Sequence, residues 1–125
     1  MNNVLLVEDE ILISEWVEGA LRDNGIEVFS THSGGEALRW VEAEPRSFSV
    51  LVTDINLGPG ANGFQVAARA RALNPGIQVV YITGLPENIR AAEKEALVCL
   101  KPFDAEELAY QVKDILYGQG RPRES

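Results

Sequence analysis

Five short apolar runs recur along the chain, at Val4–Val7, Ile26–Ser30, Ser49–Asp54, Ile77–Ile82 and Ala96–Leu100, and the intervals between them carry helical periodicity or turn signals. That alternation leaves few folds open. Val4-Leu5-Leu6-Val7 and Val50-Leu51-Val52 are continuous, as strands buried on both faces require, whereas Ile26 to Ser30 alternates apolar and polar residues like a more exposed strand. Ile13, Trp16, Val17, Ala20 and Leu21 predict a first helix that stops at Asn24-Gly25. Ser33 with Glu36 opens a second helix through Ala37, Leu38 and Val41, and Asn62 caps a third carrying Val66, Ala67, Ala70 and Leu73. Asp104 with Glu107 opens the last, with Leu108, Val112, Ile115 and Leu116 on one side and Gly118 at its end. Between Glu87 and Glu95 only Ile89 is large and apolar, so a shortened, weakly anchored fourth helix is expected there. Trp16 stands at core spacing and is expected to pack, Trp40 to be partly exposed, and Ile11 and Leu12 to lie off the stripe beside an acidic run.

Strands alternating with helices, with no repeat or linker, predict an α/β fold: a doubly wound, flavodoxin-like five-stranded parallel sheet covered on both faces, whose length suits the strand order 2-1-3-4-5. A chain of 125 residues, 46% of them hydrophobic, fits one core. Residues 1–118 are read as one domain and residues 119–125 as a flexible tail. A net charge of −8 argues against a nucleic-acid surface, and no apolar run approaches membrane-spanning length. The single cysteine, Cys99, rules out an internal disulfide and reads as a small hydrophobe in a reducing compartment, so a cytoplasmic location is expected.

Four of the apolar runs end in groups that can do chemistry. Glu8 and Asp9, followed by Glu10, come after the first, Asp54 ends the third, Thr83 follows the fourth and Lys101 follows the fifth. In a parallel sheet of the expected order these ends converge on the carboxyl edge, where ligands bind. Carboxylates gathered there repel one another unless a cation intervenes, and a hard divalent ion with oxygen ligands removes the conflict. Lys101 and the Thr83 hydroxyl suit the oxygens of a phosphoryl group. The inventory fits an aspartate that attacks phosphorus while Mg2+ neutralises developing charge.

These residues in this order, with Lys101-Pro102-Phe103, make Val4 to about Tyr117 resemble the receiver domain of two-component response regulators. The resemblance implies that Asp54 is the phosphoacceptor, supplied by a histidine kinase or histidine phosphotransfer protein. It implies Mg2+ bound by the side chains of Asp9 and Asp54, the backbone carbonyl of Asn56 and, through water, Glu8. Lys101 would pair with one phosphoryl oxygen and Thr83 would move to another. It further implies a cis Lys101–Pro102 peptide, self-catalysed phosphorylation and dephosphorylation only, and output by contact with an unknown downstream protein, a homodimer being left open. Nothing after the last helix would serve as a DNA-binding or enzymatic domain.

Three departures from the family pattern stand out. Val98 occupies the place of the usual strand-five aromatic, the loop Gly58-Pro59-Gly60-Ala61 is longer by a residue, and the interval from Thr83 to Lys101 is short. Thr83-Gly84 before a reduced helix resembles the single-domain receivers called FAT GUY, whose name motif Tyr81-Ile82-Thr83-Gly84-Leu85 matches in part. Rival readings are a pseudo-receiver that takes no phosphate, an aspartate-nucleophile phosphatase and a flavin or nucleotide binder. The phosphatase is weakened because Asn56 stands where a second aspartate would act as acid/base. The binder lacks a Gly-rich turn after the first strand. His32, in a Ser/Thr/Gly loop, reads as a solvated residue.

Overall fold

The computed structural model describes residues 3–85, 87, 90, 92 and 96–118. In chain order the elements are β1 (Asn3–Val7), α1 (Ile11–Asp23), β2 (Glu27–Thr31), α2 (Gly34–Ala43), β3 (Phe48–Asp54), α3 (Gly63–Leu73), β4 (Gln78–Thr83), β5 (Leu97–Leu100) and the last helix, α4 (Ala105–Tyr117). The five strands form one parallel sheet in the order β2-β1-β3-β4-β5, the doubly wound arrangement expected from the β/α alternation. The interval expected to hold the shortened helix after β4 falls largely outside the described residues, and the tail 119–125 falls wholly outside them.

Because side chains alternate along a strand, each central strand feeds both faces of the sheet. Val4, Leu6, Val50, Val52, Val80 and Ile82 pack with Val17 and Leu21 of α1 and Leu108 and Val112 of α4. Leu5, Val7, Leu51, Val79 and Tyr81 pack on the other face with Val41 of α2 and Val66 of α3. This is why the first and third apolar runs are continuous. β5 is an edge strand: Leu97 and Leu100 stay exposed while Val98 and Cys99 are half-buried.

Trp16 corrects the sequence expectation. The buried positions of α1 are Ser14, Val17, Ala20 and Leu21, which set the stripe to one side of Trp16. Trp16 is 51% exposed and instead stacks on Phe103 at 5.5 Å. Trp40 is partly exposed as expected and stacks on Phe29. Ile11 and Leu12 are likewise exposed, off the stripe.

The caps follow local chemistry with small departures. Ser33 accepts from the Glu36 N–H, but the Glu36 carboxylate reaches back to the His32 N–H. Asn62 and Gln65 close a full capping box on α3. Asp104 accepts from the Glu106 N–H at 2.9 Å and starts α4 without a bond from Glu107.

Two helix starts are pressed against backbone. A Cβ on Gly63 would sit 2.9 Å from Ile55 Cα and inside the carbonyl oxygen of Asp54, and one on Gly34 would meet the Ala61 carbonyl. By contrast a Cβ on Gly35 meets nothing within 4 Å. Gly63→Ala is therefore expected to destabilise the chain by about 1–3 kcal/mol through overpacking, while Gly35→Ala should stabilise it by roughly 0.5–1 kcal/mol by favouring helix. Urea midpoints of the two variants test this, and equal midpoints would contradict the contact at Gly63.

Candidate functional site

The carboxyl ends of the strands are fixed by backbone hydrogen bonds that continue just beyond the ladders. Glu8 N–H donates to Thr31 O (3.1 Å), Ile55 N–H to Ile82 O (3.0 Å) and Lys101 N–H to Thr83 O (2.7 Å). Each residue that follows a strand thus inherits that strand's position, and Glu8, Asp54 and Lys101 arrive together. The start of α3 at Gly63, through its N–H to Ile55 O at 2.8 Å, closes the loop behind Asp54. Gly58 and Gly60 take positive φ values of 76° and 93° in that loop, which glycine adopts without steric cost.

Lys101 is the centre of the site. Its Nζ lies 2.9 Å from Asp54 Oδ2, 2.9 Å from Glu10 Oε1 and 3.2 Å from Glu8 Oε1. The Lys101–Pro102 peptide is cis, as the family resemblance implies. Glu8 is fully buried, and its Oε2 accepts from the Glu10 N–H at 3.1 Å. Among the described residues its Oε1 has no hydrogen-bond donor aimed at it despite the nearby ammonium. One oxygen each from Glu8, Glu10 and Asp54 lies within 4.8 Å of the others.

The electrostatics reflect this crowding. Burial pushes the Glu8 carboxyl up from 4.5 to about 7, and the Asp54 charge adds to the effect against the Glu10 N–H and the Lys101 ammonium. Burial acts to lower the Lys101 ammonium, but hydrogen bonds to Glu10 and Asp54 and the charges of Asp54 and Glu8 outweigh it and hold it above its ordinary value. Three carboxylates against one ammonium leave negative charge in excess. An all-oxygen set with an orphaned buried oxygen fits a hard divalent cation, which would supply the partner that Glu8 Oε1 lacks.

The remaining expected residues surround this core. Asp9 is exposed and is not one of the clustered carboxylates; its Oδ2 lies 3.8 Å from where a Cβ on Gly58 would stand. Glu10, which the sequence reading names only as part of the acidic run, stands beside Glu8 in that cluster. A period of two would have marked it, since residues two apart share a side of an extended chain, and the Glu10 backbone is extended. Asn56 donates its backbone N–H to Asp54 Oδ1 at 3.2 Å. The Thr83 hydroxyl is buried and engaged with Leu85, accepting from its N–H (3.0 Å) and donating to its carbonyl (3.4 Å). Val98 pairs in register with Tyr81, which is fully buried with its ring edge-on to Phe64. His32 is exposed, and its Nδ1 lies 3.1 Å from the Glu8 carbonyl.

Residues 4–113 match the sequence profile of the response regulator receiver domain. Among curated proteins, the response regulator receiver protein CpdR of Brucella abortus is 30% identical over 122 residues, covering 93% of this chain and 98% of CpdR. The chain spans about half the length of several transcriptional regulators that it also matches. Among solved structures, a response regulator receiver protein from Sinorhizobium medicae aligns with a TM-score of 0.83 at 29% identity, over 92% of this chain and 94% of that one. The response regulator TrrA of Thermotoga maritima, solved in complex with Mg2+ and BeF, aligns with a TM-score of 0.81 at 25% identity, over 93% of this chain and all of that one.

The raised Glu8 pKa makes a signed prediction for the metal-free chain. Between pH 4.5 and about 7 the folded protein holds a proton at Glu8 that the unfolded chain has released, so this contribution to stability is present at low pH and is lost as pH rises through about 7. In chelator, Glu8→Gln should be more stable than the parent by on the order of 2 kcal/mol at pH 8, with the difference vanishing below pH 5. Denaturant titrations at the two pH values measure it. A difference independent of pH would show that Glu8 does not carry this charge penalty.

Proposed function

The chain belongs to the response regulator receiver domain family of two-component systems, and on that premise we propose that it accepts a phosphoryl group from a phosphohistidine onto Asp54 and signals by protein contact. The observation that carries the reading is the 2.9 Å contact between Lys101 Nζ and Asp54 Oδ2 inside an acidic cluster able to hold a divalent cation. Receiver domains are signalling modules rather than enzymes in the ordinary sense.

In the proposed reaction an Asp54 carboxylate oxygen attacks phosphorus, the P–N bond to the donor histidine breaks as the new P–O bond forms, and the imidazole leaves with a proton. The Lys101 ammonium holds one of the phosphoryl oxygens. The Thr83 hydroxyl exchanges its bonds to Leu85 for another of those oxygens, which converts a charge change at Asp54 into movement of the β4 turn. A Mg2+ ion at this site would be held by the side chains of Asp9 and Asp54, the backbone carbonyl of Asn56 and, through water, Glu8, and would neutralise charge on the transferring group. The Mg2+ and BeF bound to the Thermotoga relative support this assignment. The donor is assigned to a histidine kinase or histidine phosphotransfer protein meeting this chain in the cytoplasm. With Val98 in the strand-five position, readout falls to other side chains, for which the buried Tyr81 beside it is the adjacent aromatic.

Incubation with acetyl phosphate and Mg2+, followed by intact mass, tests the reading. A single phosphoryl gain is expected that disappears in Asp54→Asn and with chelator, and that slows on the order of 100-fold in Lys101→Ala. No gain from acetyl phosphate or from a kinase would leave the pseudo-receiver, and continuous turnover of phosphate esters would identify a phosphatase.

A further inference from the structure

Glu10 belongs to the carboxylate cluster but has no part in the phosphoryl transfer described above, yet it makes one of the two shortest side-chain contacts to Lys101 Nζ. It occupies the N-cap of α1, where Ser, Thr, Asp or Asn ordinarily accepts from a backbone N–H of the first turn. Its carbonyl accepts from Ser14 N–H at 2.9 Å, so the helix does begin there, but its side chain makes no capping bond. The carboxylate reaches across to Lys101 Nζ instead.

A lysine ammonium has three N–H donors. Here they face Asp54 Oδ2 at 2.9 Å, Glu10 Oε1 at 2.9 Å and the Glu8 carboxylate at 3.2–3.5 Å, so all three are directed at carboxylates. An incoming phosphoryl oxygen can be bound by Lys101 only if one of these partners lets go. The partners are not equal. Glu8 and Asp54 are buried, and before phosphoryl transfer releasing either leaves a desolvated carboxylate without its counter-charge. The Glu10 side chain is 61% exposed, and on release it regains water.

We propose that Glu10 is a positioning residue that latches Lys101 at the mouth of the site in the resting protein and releases it to the phosphoryl group. The proposal rests on the phosphoacceptor reading for its purpose, but the latch itself can be measured without phosphate. Because Glu10 makes no cap bond, Glu10→Ala removes the latch while leaving the helix start without a lost partner. Glu10→Asp keeps the charge but is one methylene too short for the same reach.

The full chain, free of metal and phosphodonor, is treated briefly with a water-soluble amine-reactive ester. Modification of Lys101 is then read by peptide mass against Lys113, which is exposed on α4. The Lys101 to Lys113 ratio is expected to rise about two- to fivefold in both variants, the factor set by losing one exposed ion pair. With saturating Mg2+ and acetyl phosphate, both variants should also gain the phosphoryl group faster than the parent by a similar factor. An unchanged labelling ratio overturns the latch whether or not Asp54 is phosphorylated. A Glu10→Asp chain that behaves like the parent also overturns it, assigning the effect to charge at a distance. A raised ratio with no phosphoryl gain in any variant upholds the hold on Lys101 and fails the phosphoacceptor reading instead.

Discussion

One ammonium, Lys101 Nζ, stands among the carboxylates of Glu8, Glu10 and Asp54 at the carboxyl edge of the sheet, and the arrangement around it depends on that attraction. Two of those carboxylates are buried, which without an opposing charge would favour their neutral forms. The lysine offsets the cost only in part, as the raised Glu8 pKa and the orphaned Glu8 Oε1 show. The site is therefore poised rather than satisfied. A divalent cation would complete it, and a phosphoryl group would compete for the lysine.

The scaffold makes this tension tolerable by fixing backbone rather than side chains. Hydrogen bonds from Glu8, Ile55 and Lys101 extend the ladders one residue beyond the strands, and Gly63 lets α3 begin directly against the Asp54–Ile55 peptide. Both faces of the sheet are filled by apolar side chains of the same strands, so displacing a strand end would disturb two cores at once. The loop residues Gly58–Gly60 and the Thr83–Leu85 turn lie outside those cores. They are the parts of the edge whose contacts can change without breaking the packing.

How much of this was legible in the chain depended on the range of each signal. The strands and the helix starts at Ser33, Asn62 and Asp104 follow from local pattern, and the structure puts Glu8, Asp54, Thr83 and Lys101 at the strand ends where that pattern places them. Trp16 was misplaced because helical spacing says which residues share a face but not where that face is centred. Only the docking of α1, with Ser14 and Val17 inward, decides that, and it leaves Trp16 to Phe103. The capping partner of Asp104 shifted by one residue for a similar reason, since cap geometry is decided by backbone dihedrals.

Within the acidic run the same division holds. By itself the sequence determined that three carboxylates follow the first strand, that Asp54 and Lys101 end others, and that a doubly wound sheet would bring them to one edge, because periodicity and turn chemistry are local properties. Only the tertiary structure decided that Glu8 and Glu10, rather than Asp9, close on Asp54 and Lys101, and that the Thr83 hydroxyl rests on Leu85. Which oxygen meets which ammonium is fixed by the direction in which each strand delivers its side chain and by the burial of that end. Neither quantity exists until the sheet is assembled.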